Sequence, residues 1–244
     1  MLTAYDAAFS RLADEAGVDV ILVGDSLGMV VQGRENTVGV TVDDMVYHTR
    51  LARRGRRHAL LLADMPFLSC ADSSTALRHA GRLMQEGGAD MVKLEGGAEQ
   101  VEVVRRLSVN GVPVCAHLGL RPQFVHKLGG YRVQGRDEQG AKILREDARA
   151  LEEAGAEALL LECVPATLAA QITGFARIPV IGIGAGADCD GQVLVLHDVL
   201  GITPGRLPRF ARNFMPGHDS IQATLRAYVK AVREGRFPSQ EEAF

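Results

Sequence analysis

The segment Glu15-Ala-Gly-Val-Asp-Val20 recurs with small changes as Glu86-Gly-Gly-Ala-Asp-Met91 and as Glu153-Ala-Gly-Ala-Glu-Ala158. The copies begin 71 and 67 residues apart. Each copy follows an amphipathic helical pattern, and its glycine stands where a helix C-cap is expected. An apolar run too short for a helix comes next, which is typical of a strand in a parallel sheet covered on both faces. The repeat therefore predicts alternating helices and strands.

Further short apolar runs between the copies extend this pattern to eight strands in 244 residues. A spacing near 70 residues then corresponds to two β-α units. Eight such units predict a single (β/α)₈ TIM barrel, an α/β fold, as one domain over residues 1–244. A doubly wound parallel sheet is the alternative. The predicted strands are 2–4, 21–23, 59–63, 92–94, 112–116, 159–161, 179–183 and 193–197.

The composition is that of an ordinary globular protein, with 47% hydrophobic and 23% charged residues, which excludes disorder and fibrous folds. Basic and acidic residues number 27 and 30, and no basic stripe is interleaved with aromatic residues, so we expect no nucleic-acid partner. No apolar run approaches the ~20 residues that span a bilayer. The four cysteines are scattered without a C-x-x-C pair. These features predict a cytoplasmic protein with no membrane partner.

Acidic residues follow four of the predicted strands: Asp25, Asp64, Glu95 and Glu162. In a barrel the carboxyl ends of the strands face the active site, so these side chains would converge on one cup. Together they would repel one another and call for a cation or a shared proton. Oxygen ligands without clustered His or Cys favour Mg²⁺ over zinc. Any one of these acids could equally be a helix cap without a function.

Two further polar residues point towards the same cup. Lys93 stands two positions before Glu95 in a predicted strand, so both side chains face the same way. It could bind an anionic substrate or form a buried structural pair with the glutamate. His117 ends the fifth predicted strand, and we expect it at the edge of the site. The long segment 117–139 after it is a candidate functional loop.

Seven sequence motifs follow one another along the chain. They are Val23-Gly-Asp-Ser-Leu-Gly28, Leu60-Leu-Leu-Ala-Asp-Met-Pro-Phe67, Met91-Val-Lys-Leu-Glu-Gly-Gly97, His117-Leu-Gly-Leu-Arg-Pro-Gln123, Gly129-Gly-Tyr-Arg-Val-Gln-Gly135, Leu161-Glu-Cys-Val-Pro165 and Ile178-Pro-Val-Ile-Gly-Ile-Gly-Ala-Gly186. In this order and spacing they resemble the ketopantoate hydroxymethyltransferase family, whose barrels belong to the phosphoenolpyruvate/pyruvate-type superfamily. The similarity runs from the first strand to the end of the chain. Family members usually have a helical segment before the first strand, whereas Leu2 already begins the first predicted strand here.

The resemblance implies an enzyme of pantothenate biosynthesis. It would transfer a hydroxymethyl group from 5,10-methylenetetrahydrofolate to 3-methyl-2-oxobutanoate, giving 2-dehydropantoate through an enolate stabilised by Mg²⁺. It would assemble as a homodecamer, a pentamer of dimers. No set of residues for the folate stands out.

The same resemblance implies roles for individual residues. By matching motif, Asp25 and Asp64 would hold the metal, with Glu95 at or near it. Ser26 and Lys93 would contact the keto acid together with the two aspartates, and Glu162 would be the general base.

Two other functions stay open on the sequence. Carbon–carbon lyases of the isocitrate lyase type also hold Mg²⁺ with acids at strand ends, but their Lys-Lys/Arg-Cys-Gly-His loop is absent from this chain. A non-catalytic barrel subunit is the second alternative. The intact set of acids and Lys93 speaks against it.

Overall fold

Eight parallel strands form one sheet in chain order in the computed structural model, which describes residues 1–203 and 205–244. An isolated parallel bridge between Leu2 and Leu194 joins the end of the sheet to its beginning. This order confirms the barrel and excludes the doubly wound alternative, in which the strand order reverses. The strands are β1 Leu2–Thr3, β2 Val20–Val23, β3 Leu60–Asp64, β4 Met91–Glu95, β5 Val114–Gly119, β6 Ala158–Glu162, β7 Val180–Ile183 and β8 Gly191–Gln192.

Helices connect the strands and cover the outside of the barrel. Short 3₁₀ turns lie at Ala98–Gln100, Pro122–Phe124 and Gln240–Glu242. Among the described residues, no helix combines the length and apolar character needed to cross a membrane. The helices are α1 Ala7–Glu15, α2 Leu27–Val30, α3 Val42–Gly55, α4 Ser73–Gln85, α5 Val101–Val109, α6 Val125–Leu128, α7 Glu138–Glu153, α8 Ala166–Phe175, α9 Leu196–Val199 and α10 Ile221–Arg233.

Local sequence signals set the ends of these helices. The Asp72 carboxylate accepts hydrogen bonds from the backbone N–H groups of Ser74 and Thr75 at the start of α4, which satisfies donors that lack a partner in the first turn. At the other end, Gly17 and Gly155 follow α1 and α7 with φ values of +86° and +105°. Only glycine adopts these values without strain. The repeat is thus a helix C-cap followed by a strand.

The eighth strand differs from its prediction. The apolar run 193–197 was expected to form it, but β8 ends at Gln192 and Leu196 already begins α9. Leu194 still pairs with β1 through its bridge to Leu2. A short buried apolar run has the same composition in a strand and in a helix, so periodicity alone could not separate the two. The fifth strand also runs two residues beyond His117, to Gly119.

The lower end of the barrel is closed by α10. The hydroxyl of the fully buried Tyr228 donates a hydrogen bond to the backbone oxygen of Met1 at 2.8 Å. Its ring packs edge-on against Phe214 and Phe237, with centroids 5.5 and 6.0 Å away. The aromatic contacts and the hydrogen bond together fix α10 under β1. The upper end, where the strands have their carboxyl ends, stays open.

Candidate active site

The open upper end of the barrel holds a cavity of about 750 Å³. Its lining includes all the site residues predicted from the sequence, which the fold brings together from β2 to β6. These are Asp25, Ser26, Asp64, Lys93, Glu95, His117 and Glu162.

The register of the sheet explains why these side chains meet. Asp64 is paired with Lys93 across β3 and β4, and Glu95 with His117 across β4 and β5. Glu162 closes β6 opposite Gly119, one strand further on. Because residues two apart on a strand face the same side, Lys93 and Glu95 both point into the barrel. A ring of charged groups therefore forms the floor of the cavity.

Among the residues that the structure describes, Lys93 is the only lysine in this lining. Its Nζ lies 2.7 Å from Oδ1 of Asp64, and the two side chains are 4% and 3% exposed. Burial opposes the charge on the ammonium group, but the carboxylates of Asp64, Glu95 and Asp25 outweigh burial and raise the pKa of Lys93. Lys93 therefore stays protonated at neutral pH.

The carboxylates of Asp25 and Glu95 are not fully compensated. The backbone N–H of Asp25 donates to Oδ2 of Asp64 at 2.9 Å, which draws the two acids together. Burial and the charges of Asp64 and Glu95 raise the pKa of Asp25 well above its usual value. Burial also raises the pKa of Glu95 to about 7, against the opposing effect of Lys93. The three carboxylates of Asp25, Asp64 and Glu95 thus surround the ammonium group of Lys93.

His117 lies deeper than expected. It is 2% exposed and lies between the acids of the floor rather than at the edge of the site. Its Nδ1 is 3.3 Å from Nζ of Lys93, and its Nε2 is 3.3 Å from Oε2 of Glu162. Burial and the charge of Lys93 lower its pKa, so the ring is neutral at neutral pH. We assign the tautomer that accepts from Lys93 at Nδ1 and presents Nε2–H to Glu162.

The charges of the floor fit a divalent cation, although no ligand cage is preassembled. Among residues 1–203 and 205–244, no three His, Cys, Asp or Glu side chains are arranged so as to hold a metal ion. Asp64 is engaged by Lys93 and Asp25 by Gln123 instead. The excess of buried carboxylates nevertheless supplies hard oxygen donors of the kind that Mg²⁺ prefers. Asp25, Asp64 and Glu95 are the residues that could hold it.

Sequence reasoning missed two residues that support the floor. The Gln123 side chain donates to Oδ2 of Asp25 at 2.8 Å and to the backbone oxygen of Met65 at 3.0 Å. The Tyr5 hydroxyl lies 2.9 Å from Oγ of Ser26. Two signals include Gln123, its place in the segment 117–139 and in the motif His117-Leu-Gly-Leu-Arg-Pro-Gln123, but neither assigns it a role. Nothing in the local sequence marked Tyr5.

Solved structures of other proteins share this architecture. The 2,3-dimethylmalate lyase, described as a PEP mutase/isocitrate lyase superfamily member, superposes with a TM-score of 0.58 at 16% identity, over 98% of this chain and 92% of that one. A phosphoenolpyruvate phosphomutase from Streptomyces platensis gives a TM-score of 0.62 at 15% identity, over 96% and 82%. The chain thus has the same barrel fold as these two proteins.

Sequence comparison then defines the family. The family model described as ketopantoate hydroxymethyltransferase matches residues 1–240. The 3-methyl-2-oxobutanoate hydroxymethyltransferases of Alkalilimnicola ehrlichii and Halorhodospira halophila are 64% and 60% identical over 243 residues, which is 100% of this chain and 88% of each of those proteins. The chain belongs to the ketopantoate hydroxymethyltransferase family, and it is an enzyme, a transferase. The non-catalytic alternative is excluded.

Proposed function

We propose that this enzyme transfers a hydroxymethyl group from 5,10-methylenetetrahydrofolate to 3-methyl-2-oxobutanoate, giving 2-dehydropantoate, with Mg²⁺ as its metal. One observation carries the proposal: a single cavity is lined by Asp25, Asp64, Lys93, Glu95 and Glu162. The relatives of 64% and 60% identity, which carry the name of this reaction, support it.

The floor residues suit a keto acid. The permanently charged Lys93 offsets the carboxylate of the substrate, and Ser26 offers a hydroxyl that Tyr5 holds in place. Asp25 and Asp64 would hold Mg²⁺, with Glu95 at or beside it. When bound, the ion would supply Lewis-acid chemistry at the keto oxygen, where negative charge develops once the neighbouring carbon loses its proton.

Glu162 is the proposed general base for the proton on C3 of the keto acid. It stands on β6, apart from the acids of β2 to β4, and its side chain is 14% exposed towards the cavity. Nε2 of the neutral His117 lies 3.3 Å from Oε2 of Glu162 without forming a hydrogen bond to it, so the imidazole leaves the Glu162 carboxylate charged and free to act as a base. The second oxygen of Glu162 is then left to accept the proton. The carbon that loses it would form the new bond to the one-carbon unit. Both bonds of that unit to the folate nitrogens break, one water supplies the hydroxyl oxygen, and tetrahydrofolate leaves.

We also propose that the enzyme acts in the cytoplasm as a homodecamer, a pentamer of dimers. This rests on the family resemblance. Static light scattering of the purified protein should give a mass well above that of a dimer. The mass of a single chain would contradict the proposed assembly.

A turnover assay tests the proposed reaction. Purified protein is incubated with 3-methyl-2-oxobutanoate, 5,10-methylenetetrahydrofolate and MgCl₂, and 2-dehydropantoate is measured by mass spectrometry. We expect product only when all three are present. Glu162→Gln is the inactive control, and Arg226→Ala, an exposed change on α10 outside the cavity, is the active one. Absence of product from a folded protein that binds the keto acid would refute the proposal.

A further inference from the structure

The cavity is larger than the keto acid requires. Its volume of about 750 Å³ lies in the range of sites that bind drug-sized molecules, about 300–1,000 Å³. The charged groups of the floor account for a small branched keto acid and a cation. The outer part of the cavity is left for a second, larger molecule.

The outer part is basic and aromatic where the floor is acidic. Its lining includes three arginines from two loops together with two phenylalanines, and we call this set the rim: Arg132, Arg136, Arg209, Phe210 and Phe244. The charge therefore changes sign from the floor of the cavity to its mouth. A cation is attracted to the floor, and an anionic aromatic ligand to the rim.

The rim arginines contribute few contacts to the fold. Among the described residues, Arg132 and Arg136 form no ion pair, and their side chains donate no hydrogen bond. The Arg209 side chain donates only to the backbone oxygen of Glu241, at 2.9 Å. In contrast, the neighbouring Arg212 binds the Glu242 carboxylate through two hydrogen bonds of 2.6 Å. A fold that needed arginines here for stability would pair them in the same way.

The aromatic part of the rim is a fixed surface. A Cβ atom on Gly184 would lie 3.0 Å from Cβ of Phe210 and 3.0 Å from Cε2 of Phe244, so both side chains pack over the residue that follows β7. The guanidinium of Arg209 lies 5.2 Å from the centre of the Phe244 ring. Such a surface can receive a flat ring by stacking.

Both sides of the rim are attached next to Glu162. The backbone N–H of Gln134, between the two rim arginines, donates to the oxygen of Cys163 at 2.9 Å. On the other side, Ala166 donates to the backbone oxygen of Phe244 at 2.8 Å. A ligand held by the rim is therefore held above the proposed general base, where the reacting carbon of the keto acid would lie.

We infer that the rim is the subsite for the folate donor, with Phe210 and Phe244 contacting its p-aminobenzoyl ring and Arg132 and Arg136 binding its glutamate carboxylates. The inference rests on the proposed function, which makes a reduced folate the second substrate. Such a folate combines an aromatic ring with a dianionic tail, and the rim offers a partner for each.

Binding measurements with two folates test the inference without turnover. Tetrahydrofolate and tetrahydropteroate, which lacks the glutamate, are titrated by calorimetry into wild type, Arg132→Ala/Arg136→Ala and the control Arg226→Ala. We expect the double variant to bind tetrahydrofolate at least about tenfold more weakly, because charge-assisted hydrogen bonds are lost. Its affinity for tetrahydropteroate and for the keto acid should equal that of wild type. Phe244→Ala should weaken both folates alike.

The outcomes separate the inference from the proposed function. The assignment of the arginines is wrong if the double variant binds tetrahydrofolate as tightly as wild type, or if it loses the same affinity for both folates. Either result leaves the proposal of a folate donor unaffected. If wild type binds the keto acid but neither folate, the proposal that a folate is the one-carbon donor is wrong, and the assignment of the rim as its subsite is wrong with it. Retained keto-acid binding in the double variant shows that the cavity is intact.

Discussion

Asp14 at the lower end of the barrel and Asp25 at its upper end are both buried, 8% and 4% exposed, but their surroundings differ. The Asp14 carboxylate accepts hydrogen bonds from the backbone N–H groups of Ala59 and His58 at 2.7 and 2.9 Å. Burial acts against its charge, but these donors outweigh burial and lower the pKa of Asp14. At Asp25, burial and two neighbouring carboxylates raise the pKa.

Other acids at the lower end also accept hydrogen bonds from the backbone, as Asp14 does. At the lower end, Asp90 accepts from the backbone N–H of Leu61 at 2.9 Å, and Asp190 from that of Val180 at 2.9 Å. Each of them ties a neighbouring segment to the start of a strand. The fold thus compensates its lower acids with backbone donors, and Asp90 also with the Arg56 guanidinium at 2.6 Å, whereas it leaves the upper acids short of donors. Uncompensated charge at one end of a barrel, and not burial by itself, marks the site.

Glu162→Gln should have the largest effect on activity. The amide keeps the shape of the side chain but cannot take a proton, and a positioned base typically contributes about 10²–10⁴-fold. We expect a loss of that size in the rate of 2-dehydropantoate formation. Calorimetry should show keto-acid and Mg²⁺ binding near wild type. A comparable loss of binding would mean that Glu162 belongs with the ligand-holding acids.

Lys93→Met should have the largest effect on stability. The change leaves the buried Asp64 carboxylate without its partner at 2.7 Å. Breaking a buried pair in this way costs about 3–5 kcal/mol in the free energy of unfolding. Urea denaturation measures the loss, and added MgCl₂ should restore part of it. A stability equal to wild type would contradict the charge balance described for the floor.

Asp14→Asn should destabilise the fold by about 1–3 kcal/mol, because hydrogen bonds to a buried charged group are weakened. Activity per folded molecule should not change. Since the folded pKa of Asp14 is lowered, its contribution is present above the unfolded value of about 3.9 and is lost as the pH falls below it. Urea denaturation from pH 6 to pH 3 should show the difference from wild type shrinking. A constant difference would contradict this.

Asp25→Asn is the matching change at the upper end of the barrel, and it should have the smallest effect on stability. Removing one of the mutually repelling carboxylates should raise the free energy of unfolding, by on the order of 1 kcal/mol without added metal. The variant should also lose Mg²⁺ and keto-acid binding together. A melting temperature lowered as much as that of Asp14→Asn would show that the two aspartates are equivalent after all.

The sequence predicted those parts of the molecule that local physics determines. The repeat located β2, β4 and β6, because helix C-caps and buried apolar runs are local signals. The same register then brought Asp64, Lys93 and Glu95 to one floor. The prediction from sequence was wrong at residues 193–197, because a short buried strand and a short buried helix have the same composition. The sequence indicated the segment 117–139, which contains Gln123, Arg132 and Arg136, as functional. The roles of these residues depend on contacts between loops that are distant in the chain, and no local pattern predicts those contacts.

The most direct test of the proposed chemistry is exchange of the C3 hydrogen of 3-methyl-2-oxobutanoate in D₂O, followed by ¹H NMR with Mg²⁺ and without folate. The measurement isolates proton removal from the transfer step. We expect wild type to catalyse the exchange, Glu162→Gln to abolish it, and the control Arg226→Ala to match wild type. Exchange by Glu162→Gln at the wild-type rate would contradict the account, because another group would then be the base.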